Sequence, residues 1–411
     1  MTSSNKSFWI VFLSASIGNI FEHYDRALFS FLAPFLAPIF FRENSPLTAL
    51  ILTYSILILG LISKPLGALV FGYVGDNKGR RTALYITLIG MAITTFSIGC
   101  LPTFAQIGWT APALLAFSRL AQNFFASGET IGGTLLILER CRKNKRALYN
   151  GIYECSTILG ILFASIGAGW LSTERWIENQ WRWLYWIGGI TGGCALIIRF
   201  CTRESAILIP SNRAILSLLW KFRIPFLTIV ITSGFSYANY YTITSLLNGY
   251  LPFVSSITQS EAIKTNSIIL GLDCLLLPFS GLLAMHIPKE KLLKTFASLI
   301  CLLAIPLYSI LPQAETLSII IIRMIFVIFG VGFSVILVPY YQELIPQNHC
   351  YTLICFGTAI GSQLVGNSAY FIGLLLLKQT GWSGAPSIYL TATGLLSLMI
   401  LKYTQIKKAN I

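Results

Sequence analysis

The stretch GYVGDNKGRR, residues 72–81, separates two long apolar runs and carries three glycines, one acid and three basic residues. A short, charged and glycine-rich segment in this position predicts a turn that joins two helices. Gly72, Gly75 and Gly79 allow a tight turn and a close approach of neighbouring backbones. A basic turn that is rich in glycine by chance would look the same, so the meaning of the segment depends on the rest of the chain.

The composition of the whole chain places this turn at a membrane surface. Of the 411 residues, 55% are hydrophobic and only 11% are charged, whereas a soluble domain carries about 25% charged residues. The mean hydropathy is +0.72. This composition excludes a soluble enzyme and a disordered chain. The nine cysteines show no spacing suited to a metal, so we expect neither a metal site nor a cofactor.

Twelve apolar runs are long enough to cross a bilayer as helices, which takes about 20 residues. They are predicted at 8–36, 48–73, 82–101, 111–138, 147–171, 182–200, 225–253, 266–286, 294–312, 317–340, 350–377 and 386–403. The sequence therefore predicts an all-α membrane protein with twelve transmembrane helices. It divides into an N-terminal six-helix bundle (1–200), a cytoplasmic linker (201–223) and a C-terminal six-helix bundle (224–411). This array is typical of secondary transporters, but it also fits some channels, sensors and membrane enzymes.

The basic residues are distributed unevenly between the two sides of the predicted array. With the N-terminus inside, 20 of the 29 Lys and Arg residues fall in inside segments and 5 in outside segments. This split follows the positive-inside rule and places both termini in the cytoplasm. Topology thus explains the net charge of +14, and we expect no nucleic-acid partner.

The charged residues of the 72–81 turn predict a conformational gate at the cytoplasmic surface. The Asp76 carboxylate can accept hydrogen bonds from the exposed amides of a helix N-terminus, which favour a negative partner. Arg80 and Arg81 can pair with an acid on a neighbouring helix, and Glu139 at the end of the fourth span is the candidate.

At its place after the second span, GYVGDNKGRR resembles the signature loop of the major facilitator superfamily. Four further segments resemble its metabolite:proton symporters, which include the proline/betaine, α-ketoglutarate, citrate and shikimate transporters. These segments are GNIFEHYDRALFSFLAPFLAPIFF (18–41), SKPLGALVFGYVGD (63–76), SRLAQNFFASGETIGGTLLILE (118–139) and ELIPQNH (343–349). Arg26 stands where that family usually has an aromatic residue, and Lys64 where it usually has arginine.

The resemblance implies the major facilitator fold and a secondary active transporter that imports a small polar metabolite with protons by alternating access. It also implies a monomer in the inner membrane of a bacterium, with no enzymatic activity. Two alternatives remain open from the sequence. One is a proton-coupled antiporter or exporter on the same fold, and the other is a membrane-embedded sensor without transport.

Ionisable residues within the predicted spans are the candidates for proton coupling, since such groups usually face a cavity or a partner. Glu22 and Arg26 are four residues apart and share a helix face, while Asp25 points about 100° away from Arg26. We expect Asp25 to bind a proton opposite Arg119. A static ion pair that fixes helix packing is the alternative. The further candidates for proton coupling are Glu22 and Glu129.

The substrate site is predicted from the remaining cations and from a tyrosine-rich span. The candidates are Arg119, Lys64, Tyr237, Tyr241 and Arg323. A guanidinium group can clamp a carboxylate through two hydrogen bonds. Arg119 therefore favours an organic acid or a zwitterion such as an amino acid or betaine as the substrate. Asp273 is a candidate for the wall of the same cavity in the C-terminal half, and Glu154 is a weaker candidate for a functional role.

Topology gives the first testable prediction. Reporter fusions at either end of the chain and in the 201–223 linker should all show a cytoplasmic signal, because the basic residues concentrate on that side. The measurement is the ratio of a cytoplasm-active to a periplasm-active reporter at each site. A periplasmic signal from either terminus would contradict the twelve-span topology.

Overall fold

The computed structural model describes residues 3–43, 45–78, 80–127, 132–173, 180–201 and 219–409, and within these ranges the chain is helical without a β-strand. The helices before residue 202 are α1 (Ser3–Phe40), α2 (Pro46–Ile58), α3 (Gly60–Lys78), α4 (Arg80–Gly99), α5 (Phe104–Ile107), α6 (Thr110–Ala126), α7 (Gly132–Glu139), α8 (Arg146–Thr173) and α9 (Trp181–Cys201). Those after residue 218 are α10 (Arg223–Tyr241), α11 (Leu247–Val254), α12 (Gln259–His286), α13 (Lys289–Ser309), α14 (Thr316–Leu344), α15 (Gln347–Ile360), α16 (Ser368–Thr380) and α17 (Pro386–Ala409).

Each predicted span coincides with one of these helices or with two in succession. The second span is α2 followed by α3, and the fourth is α6 followed by α7, with residues 128–131 outside the described ranges. The seventh and eleventh spans each contain a π-helical turn, at Thr242–Leu246 and Gly361–Asn367. By length and composition alone, six of the described helical segments are long and apolar enough to cross a membrane.

Most of the 72–81 segment is helical, so the turn within it is shorter than the sequence predicts. Helix α3 continues through Gly72 and Asp76 to Lys78, and α4 begins at Arg80. The prediction of a turn from the glycines was therefore wrong for most of the segment. Glycine permits a turn but does not impose one, and the helical hydrogen bonds continue past the apolar run. Gly79 lies outside the described residues, as do the side chains of the gate candidates Asp76, Arg80, Arg81 and Glu139.

The helix boundaries elsewhere follow ordinary capping chemistry. At the start of α2, the Ser45 hydroxyl accepts a hydrogen bond from the Thr48 amide at 3.4 Å, and proline occupies the first helical turn. Thr258 and Glu261 form a capping box at the start of α12, which satisfies two amides that have no partner within the helix. Gly381 ends α16 with a left-handed φ of 65°, which glycine adopts without a steric penalty.

Two pairs of spans join the N-terminal and C-terminal halves. The first pair is α8 with α12, and the second is α2 and α3 with α15, α16 and the π-turn between them. In terms of span number, the fifth contacts the eighth and the eleventh contacts the second. If the two six-span halves are equivalent, the fifth span corresponds to the eleventh and the second to the eighth. The contact of the fifth with the eighth span is therefore the pseudo-symmetric counterpart of the contact of the eleventh with the second.

The α8–α12 contact is close because small residues face each other along it. A Cβ atom on Gly151 would lie 2.5 Å from the Leu277 carbonyl oxygen, and one on Gly281 would lie 2.7 Å from the Ala147 carbonyl oxygen. Farther along, the hydroxyl groups of Ser165 and Ser267 are 2.9 Å apart. Small residues of this kind let helix backbones approach closely in lipid, where association depends on packing contacts.

The second contact combines polar and aromatic groups. Lys64 Nζ donates a hydrogen bond to Ser362 Oγ at 3.2 Å, and Asn367 Nδ2 donates to the Leu57 carbonyl oxygen at 3.3 Å. The rings of Tyr54 and Tyr370 stack with centroids 5.0 Å apart. This contact therefore depends on side-chain hydrogen bonds and ring stacking more than on direct backbone approach.

The outer surface of the bundle is apolar. Among the large hydrophobic side chains of the described residues, eight are between 64% and 70% exposed: Ile62, Phe117, Trp170, Leu275, Phe279, Leu302, Leu317 and Met399. Exposed apolar side chains in this number would be costly in water. They are suited to lipid, so the apolar exterior of the bundle agrees with a membrane protein.

Replacing Gly281 tests the close helix contact. Gly281→Ala should lower the thermal stability of the purified protein, because the new Cβ atom would meet the backbone of Ala147 and Leu148 at 2.7–2.8 Å. Overpacking of this kind costs about 1–3 kcal/mol. Gly271→Ala on the same helix is the matched control, since a Cβ atom there has no neighbour within 4 Å. Equal melting temperatures for the two variants in detergent would show that the contact is looser than described.

Candidate functional site

A cavity of about 160 Å³ lies between the two halves. Side chains of α1, α6 and α8 form its wall on one side, and those of α10, α12 and α14 on the other, with further residues from the π-turns. The charged and imidazole groups of this wall, within the described ranges, are His23, Arg26, Arg119, Glu154 and Asp273. The cations come from α1 and α6 and the acids from α8 and α12, so groups of opposite charge reach the cavity from different helices.

Glu22 and Arg26 form an ion pair within α1, as their spacing predicts. Glu22 is buried and lies outside the cavity wall, whereas Arg26 belongs to the wall. The guanidinium group of Arg26 also faces the Tyr241 hydroxyl of α10. Arg26 thus has a carboxylate partner in its own half and an aromatic partner in the other.

Asp25 points away from the cavity, towards α4 and α9. The Thr95 hydroxyl of α4 donates a hydrogen bond to Asp25 Oδ2 at 2.9 Å, and Oδ1 faces the backbone of α9 at Gly188 without a hydrogen-bond donor. The carboxyl group is only 3% exposed. Asp25 is therefore a buried acid behind the cavity rather than part of its wall.

A chain of hydrogen bonds connects Asp25 to Arg119. Gln122 Nε2 donates to Thr95 Oγ1 at 2.7 Å, and Gln122 Oε1 accepts a hydrogen bond from the Arg119 guanidinium group. Each of the four side chains is buried. The expected direct opposition of Asp25 and Arg119 is thus replaced by an indirect connection, because Thr95 and Gln122 lie between them.

Arg119 is the member of this chain that reaches the cavity. It is 1% exposed and its guanidinium group lies 4.5 Å from the centroid of the Phe29 ring. Among the described residues it forms no ion pair with a carboxylate, and its Nε has no hydrogen-bond partner. A buried guanidinium group with spare donors at a cavity wall can receive an anion.

Asp273 and Glu154 are the acids of the described cavity wall. Asp273 on α12 is 0% exposed, and neither of its carboxylate oxygens has a hydrogen-bond partner. Glu154 on α8 lies at the same helix contact, where the neighbouring Cys155 Sγ is 3.2 Å from the Cys274 carbonyl oxygen. Two acids from different halves therefore meet the same cavity.

Tyrosines form an aromatic part of the wall. Tyr237 and Tyr241, both expected at the substrate site, line the cavity together with Tyr240. The Tyr241 ring stacks on Tyr370 with centroids 5.4 Å apart, and Tyr370 stacks in turn on Tyr54. Tyr370 follows the second π-turn, and nothing in the sequence pattern distinguishes it from the many other tyrosines of the chain.

The remaining candidates lie away from the cavity. Lys64 is bound to Ser362 at the contact between the halves, and it is not among the residues of the described wall. Arg323 is fully buried, also outside that wall, where it donates hydrogen bonds to the amide oxygens of Asn248 and Asn266. Neither residue therefore belongs to the described cavity wall, and their part in substrate binding stays a prediction. Glu129 lies outside the described residues.

Thr95 and Gln122 belong to the hydrogen-bond chain but were not predicted as functional residues from the sequence. Gln122 follows Arg119 by three residues, so the two share one helix face, and this spacing could have indicated the contact. Thr95 carries no comparable signal, because its partners come from two other helices and meet it only in the folded protein.

Comparisons with known proteins give the following matches. A sequence model described as Major Facilitator Superfamily matches residues 15–350. A putative proline/betaine transporter of Staphylococcus haemolyticus (strain JCSC1435) is 26% identical, and the alignment covers 97% of this chain and 87% of that protein. The alpha-ketoglutarate permease of Escherichia coli (strain K12) is 25% identical over 97% of this chain and 94% of the permease. A crystal structure of a D-xylose-proton symporter superimposes with a TM-score of 0.76 at 13% identity, covering 95% of this chain and 97% of the symporter.

Proposed function

The chain belongs to the major facilitator superfamily, as the 72–81 loop predicted, and on that premise we propose that it imports a small carboxylate-bearing metabolite with protons by alternating access. It is an integral membrane transporter of the same kind as its relatives, which are named as transporters and permeases rather than as enzymes. The proposal places it as a monomer in the bacterial inner membrane with both termini in the cytoplasm, in accordance with the distribution of basic residues.

The position of the cavity supports transport by alternating access. Both halves contribute to its wall, and two equivalent contacts, α8 with α12 and the second span with the eleventh, join the halves on either side of it. Rocking one half against the other about such contacts would expose the cavity to each side of the membrane in turn.

The hydrogen-bond chain from Asp25 to Arg119 is the observation that carries proton coupling. With Asp25 ionised, Thr95 donates to the carboxylate, Gln122 donates to Thr95, and the Gln122 oxygen accepts from Arg119. A proton on Asp25 turns that carboxyl group into a donor and reverses the direction of the Thr95 hydroxyl. Gln122 must then rotate its amide, which presents its NH2 group to Arg119.

That rotation would release Arg119 for a substrate. Two donors cannot hydrogen-bond to each other, so the guanidinium group loses its partner and turns its N–H groups to the cavity. A substrate carboxylate then replaces the Gln122 oxygen. In this mechanism the proton and the substrate bind together, because each favours the same arrangement of the chain.

The other arginine of the wall, Arg26, is already paired, and this also identifies Arg119 as the group that binds a substrate carboxylate. Arg26 already has Glu22 as its partner, which leaves Arg119 as the available anion site. Proline, betaine and α-ketoglutarate, for which two relatives are named, each carry a carboxylate. The proposed substrates are therefore organic acids or zwitterions such as amino acids and betaine.

The variant Asp25→Asn tests the coupling. In proteoliposomes it should lose accumulation driven by a pH gradient, because the amide cannot take up the proton that travels with the substrate. Exchange of labelled for unlabelled substrate, which needs no net proton flow, should persist. Retained accumulation by Asp25→Asn would contradict the role of Asp25, and accumulation driven by the opposite gradient in the wild type would indicate an antiporter.

The variant Thr95→Val tests the connection itself, since it removes the bridging hydroxyl while keeping a similar shape. Coupling should weaken by about tenfold or more in initial rate under a pH gradient, in keeping with an unsatisfied buried partner costing about 1–3 kcal/mol. Thr94→Val is the matched control, because the Thr94 hydroxyl donates only to the carbonyl groups of Gly90 and Met91 in its own helix. Equal loss in both variants would show that the chain has no special part in coupling.

A further inference from the structure

Two acids at the cavity have no role in the proton chain described above. Asp273 belongs to α12 and Glu154 to α8, and both are residues of the cavity wall. The next residue after each acid, Cys155 on α8 and Cys274 on α12, shows how closely the two helices approach each other beside the acids. Cys155 Sγ lies 3.2 Å from the Cys274 carbonyl oxygen, and Cys274 Sγ lies 3.8 Å from the Cys155 carbonyl oxygen. The two carboxyl groups therefore meet the cavity from opposite sides of one close helix contact.

Asp273 has an unusual environment for a buried acid. It is 0% exposed, and both of its carboxylate oxygens lack a hydrogen-bond donor within the described structure. Leaving a carboxylate without a partner in a low-dielectric interior is expensive. A fully buried acid without a partner at a cavity wall is thus suited to bind a positively charged group of a ligand in the cavity.

The cations of the same wall do not supply that partner. Arg26 is held by Glu22, and Arg119 is hydrogen-bonded to Gln122. Both of these arginines come from the N-terminal half, on α1 and α6. The electrostatic neighbours of Asp273 include Cys274, Glu154 and Tyr240, none of which is a cation.

Aromatic rings complete the surroundings of the two acids. Tyr240 lies close enough to Asp273 to interact with it electrostatically, and Tyr237 has the same relation to Glu154. The Tyr240 hydroxyl is itself buried without a hydrogen-bond partner. Carboxylates combined with tyrosine rings provide the two kinds of contact that bind a substituted ammonium group, namely charge pairing and cation–π attraction.

We propose that Glu154, Asp273 and the adjacent tyrosines form a cation subsite that binds the ammonium group of a zwitterionic substrate, whose carboxylate binds Arg119. This inference rests on the proposed function and narrows its substrate class. A zwitterion brings its positive charge to the two acids and its negative charge to Arg119. A dicarboxylate would bring its second negative charge towards two acids, which disfavours it by like-charge repulsion.

Matched pairs of compounds test the subsite in the wild-type protein. Glycine betaine is compared with 3,3-dimethylbutanoate, which has the same shape with carbon in place of the charged nitrogen. Proline is compared in the same way with cyclopentanecarboxylate, and 2-oxoglutarate serves as the dicarboxylate. Binding is measured by calorimetry on the purified full-length chain. In at least one pair the zwitterion should bind about tenfold more tightly or better, as expected for a desolvated charge pair.

Two variants separate the cation subsite from the anion site. Asp273→Asn should remove the preference for the zwitterion and leave the affinity for its neutral-headed analogue unchanged. Arg119→Lys should weaken both members of a pair, because the planar fork that holds the carboxylate is lost. Glu154→Gln, on the other helix, repeats the first test if Asp273→Asn does not fold, and thermal unfolding of each variant checks its integrity.

The outcomes distinguish this inference from the proposed function. Binding of carboxylates without any preference for a zwitterion, or tighter binding of 2-oxoglutarate, would overturn the cation subsite and leave the carboxylate transporter standing. An equal loss of both pair members in Asp273→Asn would show that the acid has only a structural role. Failure of all the carboxylates to bind would overturn the proposed function, and the subsite with it.

Discussion

A charge inside a bilayer must be partnered, and this constraint organises the interior of the protein. Arg26 is paired with Glu22 in the next turn of the same helix. Arg323 is held by two asparagine side chains and Lys64 by a serine hydroxyl. Arg119 and Asp273 retain unsatisfied bonding capacity at the cavity, and among the residues described Arg323 and Asp25 do so away from it. Of these groups, Arg119 and Asp273 are the ones that a ligand in the cavity can reach, which is why the proposed substrate contacts are placed there.

The hydrogen-bond chain and the cavity have complementary positions. Asp25 lies behind the cavity, in contact with α4 and α9, and Arg119 lies at its wall. In the proposed mechanism, the proton on Asp25 therefore does not compete with the substrate for space. The mechanism transmits the effect of that proton through Thr95 and Gln122, two neutral groups that can each reverse the direction of a hydrogen bond.

The contacts between the halves follow from residue size. Small side chains on α8 and α12 allow backbones to touch, as at Gly151 and Gly281. The equivalent contact of the second and eleventh spans uses larger groups, with Tyr54 stacked on Tyr370. Two contacts related by pseudo-symmetry are thus built from different side chains.

Local sequence features predicted much of this architecture. The twelve spans follow from the length of apolar runs, and the Glu22–Arg26 pair follows from a spacing of four residues within one helix. The turn at 72–81 was overestimated, because glycine allows a turn without requiring one. The positions of Thr95, Arg323 and Tyr370 could not be predicted from local patterns. Their partners lie on other helices, so the contacts exist only once the helices have packed.

The central claim is that the proton on Asp25 and the carboxylate on Arg119 favour the same arrangement of one hydrogen-bond chain. Linkage then requires substrate binding to draw a proton from solution. Titration calorimetry in buffers of different ionisation enthalpy measures that proton directly, with purified protein and a carboxylate substrate. The account predicts net proton uptake on binding by the wild type and none by Asp25→Asn. Binding without proton uptake in the wild type, or uptake that survives in Asp25→Asn, would contradict it.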